Sequence, residues 1–196
     1  MFIFSNQIFY QPYDTNDEDG SLYGPTGSDL SLSVEHGSDF GAVYVENGEG
    51  YGWRMFSFDE VQYMMGYRPT KSGIRFAFVS ILDNIAVIIL PDEWDSSLYP
   101  LQGTDSFDQG ALNMVSIDDW NNILEPNGVM LMILPGGREG TVIKMGGDYA
   151  HYWTSTPSGD SQAVAPFGDT GNILEPWPRN RAYGGVVRLV RDVPRP

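Results

Sequence analysis

Along the chain, the clearest alternation of apolar and polar positions falls near the end. Gly185, Val187 and Leu189 alternate with Val186, Arg188 and Val190, which predicts a short strand with one apolar face. Upstream, Tyr152 to Thr156 reads as a second short strand. Between them, Ser158-Gly159-Asp160, Gly168-Asp169, Gly171-Asn172, Pro176 and Pro178 exclude a long helix and favour tight turns. That stretch is expected to form surface loops on a rigid base, where binding residues concentrate because the scaffold holds them while their backbone stays accessible.

From Arg75 to Leu90 two apolar runs flank Asp83-Asn84, a predicted hairpin whose second strand is apolar on both faces and hence central in its sheet. Val129 to Leu134 has the same character. Ser57-Phe58-Asp59-Glu60 fits a capping box, opening a helix through Val61, Met64 and Met65 that stops at Gly66. Ser116-Ile117-Asp118-Asp119 opens a second short helix ending before Pro126. Residues 2 to 13 suggest an edge strand, followed by an acidic loop from Asp14 to Gly20 and a Gly/Ser/Asp stretch to Ser38. The sum is an α+β chain of short antiparallel sheets, two short helices and long loops.

The 196 residues suit one domain over 1–196, with a loop-rich N-terminal extension over 1–40 and candidate ligand-binding loops and final strand over 150–192. With 26 acidic against 11 basic residues the formal charge is −15, which opposes binding to nucleic acid or an anionic membrane. No run approaches the roughly 20 apolar residues of a membrane span. The opening Met-Phe-Ile-Phe-Ser lacks a basic flank and does not read as a secretory signal. Without cysteine there are no disulfides, thiolate metal sites or cysteine nucleophile. Asp14, Asn16 and Glu18 suggest a calcium loop, but Asp19 occupies the position where an EF-hand needs glycine, so neither metal nor cofactor is expected.

Among candidate chemistry, Trp177 stands between Pro176 and Pro178, in a loop too constrained to fold easily into a core. With Arg179, Asn180 and Arg181 it suits stacking on a sugar or anchoring a protein partner. Tyr183, Asp160, Gln162 and Asn172 complete the candidate set, and Trp153 reads equally as a core residue and as a contact. His151 lies near Ser155, but no nucleophile-elbow sequence surrounds it, so catalysis is not expected.

These motifs taken together carry a resemblance. Trp53-Arg54 with Ser57 to Met65, Leu90-Pro91-Asp92-Glu93-Trp94, Met130 to Gly140, Tyr152 to Pro157 and Tyr183 to Asp192 stand in one order over about 140 residues. In these the chain resembles the Fibrobacter major paralogous domain family and related gut-bacterial surface proteins of the C-type lectin fold. The resemblance implies a fold shared with formylglycine-generating enzymes and with the variable proteins of diversity-generating retroelements. In the latter, the region before the final strand changes ligand, so Asp160 to Tyr183 would be the recognition face here. The cysteine chemistry of formylglycine-generating enzymes does not carry over. Glu125-Pro126-Asn127 spells a calcium-lectin tripeptide, but Trp120-Asn121-Asn122 precedes it, against the order those lectins use.

The expected function is a non-enzymatic binding module facing the extracellular side, on a virus particle such as a phage fibre or on a bacterial surface, with a host glycan or protein as partner. The alternative is a structural component of a virion or pilus whose loops hold neighbouring subunits.

Overall fold

A computed structural model describes residues 2–4, 8–10, 54–106, 111–139, 142–144, 150–156, 158, 162–166, 175–180 and 183–192. The acidic loop from Asp14, the stretch to Ser38 and Trp53 lie outside these.

The core is organised by a hairpin. Strands β4 (Phe76–Ile81) and β5 (Asn84–Ile89) pair antiparallel from Phe76↔Ile89 to Ile81↔Asn84. The turn is Leu82-Asp83, one residue earlier than the sequence suggests, with φ of 49° and 60°, and Asn84 opens the second strand. Two successive positive φ values match the right-handed twist of the flanking strands, and Asn84 Nδ2 donates to Leu82 O at 2.7 Å. β7 (Met130–Ile133) pairs antiparallel with β5, and β6 (Asn113–Met114) pairs with β4, giving the order β6-β4-β5-β7. The apolar β5 is central, as expected. The pairing is not antiparallel throughout: β6 runs parallel to β4, because the connection from β5 crosses to the far side of the hairpin before returning.

Two helical segments flank this sheet. In α1 (Phe58–Gln62), Ser57 Oγ accepts from Glu60 N at 3.2 Å and Glu60 Oε2 accepts from Ser57 N at 2.7 Å, completing the capping box. The helix then widens by one residue per turn over Tyr63–Tyr67, closed by Arg68 N donating to Tyr63 O at 2.7 Å. It passes Gly66 and stops at Arg68, which is extended (ψ 123°) because Pro69 crowds an α-helical conformation before it. α2 (Ile117–Asp119) starts on Ser116, whose Oγ accepts from Asp119 N at 3.0 Å. It too widens over Trp120–Leu124, then tightens over Glu125–Asn127 and ends on Gly128 at φ 82°. Pro126 does not end it, since proline is tolerated where a helical turn begins.

The chain ends join in two small sheets. β1 (Phe2–Phe4), β13 (Leu189–Asp192) and β3 (Arg54–Met55) form one, with β13 in the middle; β2 (Ile8–Tyr10) pairs with β12 (Gly185–Val187) in the other. Between residues 2 and 13 the described residues thus form two short strands rather than one. A further hairpin pairs β8 (Gly137–Glu139) with β9 (Val142–Lys144).

Three apolar clusters define the layering. On one face of the four-stranded sheet, Ala77, Val79, Ala86 and Ile88 pack with Trp94, Val115 and Leu124. On the other, Phe76, Phe78, Val87 and Met132 pack with Val61 and Met65 of α1 and with Tyr152, Val186 and Val190. Beyond the final strands, Val187 and Leu189 join Met55, Trp153, Ala163 and Ala165. The closing segment is therefore buried on both faces, not one, because it is an internal layer. Arg188 fills the break between β12 and β13, nearly buried, with Nη1 donating to Leu131 O at 3.2 Å. Burial pushes its guanidinium pKa below the ordinary value, and the nearby Tyr152 partly opposes that.

The Leu90 to Trp94 motif locks α1 to the sheet. Arg68 reaches from the helix end to the Asp92 carboxylate and donates Nη2 to Leu90 O at 2.6 Å, while Trp94 is buried in the core.

Candidate functional site

The hexapeptide that begins at Tyr152 is a junction. Over Tyr152 to Thr156 it forms no ladder: Tyr152 makes one bridge to Val186, Trp153 N donates to Val186 O at 2.8 Å, and Thr154 N donates to Val164 O at 3.1 Å. Three of its side chains bond the backbone of other elements. Tyr152 Oη donates to Ile133 O at 2.7 Å, and Thr154 Oγ1 to Val164 O at 2.7 Å. Thr156 Oγ1 accepts from Phe58 N at 2.9 Å, satisfying one of the open N–H groups of α1. In the sequence, the signal for this is the spacing of the two threonines behind the aromatic pair Tyr152-Trp153.

On this junction stands a ribbon absent from the sequence reading. β10 (Gln162–Val164) and β11 (Pro178–Asn180) pair antiparallel, Gln162 opposite Asn180 and Ala163 opposite Arg179. The expected surface loops thus have their own sheet, in which Ala163 is fully buried, as is Ala165 just beyond β10. A strand beginning with proline is compatible with an edge position, and β11 is one.

The ribbon collects several of the sequence candidates. Trp177 is half-buried rather than freely exposed, its carbonyl accepting from Ala165 N at 3.0 Å. The Arg179 guanidinium carbon lies 5.3 Å from the Trp177 ring centroid, within cation–π range. Alternation along β11 puts Trp177 and Arg179 on the side shared with the buried Ala163, and Asn180, with Gln162 across from it, on the other. Tyr183 N donates to Asn180 O at 2.9 Å, bringing Tyr183 to the end of the ribbon. Trp153 lies elsewhere: it is 0 % exposed and packs beneath, among Met55, Ala163, Ala165 and Val187, so it supports the platform from the core. Asp160, Asn172 and Arg181 fall outside the described residues.

His151 lies beside Tyr183 at the end of this platform. His151 is buried, and its ring stacks on Tyr183 with centroids 6.3 Å apart and planes 13° from parallel. Its carbonyl accepts from Val186 N at 2.6 Å. Among the described residues no group of three or more His, Asp or Glu side chains is placed to hold a metal ion. No helix described is long and apolar enough to cross a membrane.

Compared with protein-family models, curated proteins and solved structures, the chain matches none.

Proposed function

We propose that this chain is a non-enzymatic binding module of C-type lectin-like fold that grips a carbohydrate or protein ligand through its C-terminal loops. It would be displayed on a virus particle, such as a fibre or tail tip, or on a bacterial surface, and meet a host glycan or protein. The observation that carries this is the Trp177–Arg179 stack on a ribbon whose backbone is pinned to the core. An aromatic ring and a guanidinium ordered before the ligand arrives lose little freedom on binding, which favours affinity. The α+β class, the two capped helices and the order of the five motifs support the fold assignment. The packing of His151 against Tyr183 supports a supporting role for this histidine rather than a catalytic one.

The test is a screen of the purified chain against arrayed glycans and host-cell surface proteins, with mass by light scattering on the same sample. A monomer or dissociable oligomer that captures a defined surface ligand is expected. A multimer that survives dilution and captures nothing would instead fit the second reading, a structural subunit whose loops hold its neighbour.

A further inference from the structure

A second surface lies across the four-stranded sheet from the ribbon. Six large apolar side chains among those described are strongly exposed, and three of them belong to segments that Tyr99 ties together: Leu98 at 44 %, Met114 at 74 % and Ile117 at 43 %. The corner is a built one. Tyr99 Oη lies 3.4 Å from both Met114 O and Asp119 Oδ2, joining the loop after Trp94 to β6 and α2. Tyr99 and Trp120 pack inward on the cluster around Trp94, so the exposed trio stands on a rigid base. Scattered single apolar residues are ordinary on a surface, whereas a fixed group invites a partner.

The charges around it say which kind. Asp95 and Asp118 are exposed and Asp119 half-buried. Lys71 is within electrostatic reach of Asp95, whereas Asp118 and Asp119 make no ion pair among the described residues. Negative potential here is felt by the Tyr99 hydroxyl, whose pKa is raised by burial first and then by the charge of Asp119. A second copy of a chain carrying −15 would meet this corner with the same sign. We infer that the Leu98–Met114–Ile117 corner is a docking face for a cationic amphipathic segment of another protein, apolar side chains seated on the trio and Lys or Arg over the aspartates. Such a face, across the sheet from the ribbon, would let the module be held by a carrier while its loops stay free. The inference does not depend on what the ribbon binds.

The probe is a synthetic peptide of about 14 residues with leucine at helical spacing and lysine elsewhere, with a glutamate counterpart as control. Titrated against the whole chain by calorimetry, the lysine peptide should bind and the glutamate one should not. Met114→Ser and Leu98→Ser should each weaken binding about tenfold, and Asp118→Lys should weaken it further. Leu82→Ser, which removes a leucine at the hairpin turn that is more exposed than Leu98, should change nothing. Equal affinity for wild type and Met114→Ser would mean attraction by bulk charge alone and would overturn the proposal. So would loss of peptide binding on Trp177→Ala, which would put the peptide on the ribbon and leave the functional proposal standing. A dimer in wild type that Met114→Ser dissolves would name a second copy as the occupant, also against the inference.

Discussion

At the level of single residues, the carbonyl of His151 dictates the glycine at 185. A Cβ built there would stand 2.4 Å from His151 O and 3.0 Å from Trp153 Nε1, a clash with backbone in an internal layer that cannot easily move. Gly185→Ala should therefore cost about 2 kcal/mol through overpacking, seen as a lower urea midpoint at unchanged slope. An unaltered midpoint would mean that the final strand is free to shift. The sequence showed the glycine as one member of an alternating face; nothing local could reveal that His151 presses on it from 34 residues away. Trp153 teaches the same point. Its type and motif fitted both core and contact, and only the packing of Ala163 and Ala165 against it decides for the core.

The elements were legible where the determining chemistry is local. Both helix starts follow from a serine and an acidic residue three positions on, and both were readable. Their ends were not: the stop of α1 is set by Pro69 acting on Arg68, and α2 passes through Pro126 to Gly128. The hairpin was legible to within one residue because its turn is unusual. Leu82 and Asp83 both hold positive φ, where a Cβ is strained and Asn or Gly is preferred. Replacing Leu82-Asp83 with Asn-Gly should thus stabilise the fold by about 1 kcal/mol, raising the melting temperature. A fall would show that Leu82, though exposed, contributes contacts worth more than the strain. The ribbon of β10 and β11 was invisible because each strand has three residues and a register fixed by a partner more than ten residues away along the chain. Such short segments carry no periodicity to read.

Across the whole molecule, the layers run from α2, through the four-stranded sheet and the closing strands, to the ribbon. The α+β class was readable from the mixture of periods, whereas the internal position of the closing strands was not, since alternation along one strand cannot say what covers its second face. The layering also carries a pH dependence. Tyr99, between the sheet side and α2, has its phenol pKa raised by burial first and by Asp119 second. The folded state thus favours the protonated phenol. Its contribution is complete below the unfolded value of about 10 and lost as pH rises through the higher folded value. Tyr99→Phe should flatten that part of the alkaline decline in melting temperature; parallel curves for the two proteins would contradict the assignment.

The central claim is that the ribbon presents Trp177 to a ligand from a scaffold that does not need it. The most direct measurement is the affinity of wild type and Trp177→Ala for one captured glycan or surface protein, beside the urea midpoint of each. Loss of about 2 kcal/mol in binding, as for a hot spot, with stability changed by less than about 1 kcal/mol, is the expected result. Unchanged binding with a clearly lower midpoint would make Trp177 a packing residue and contradict the claim.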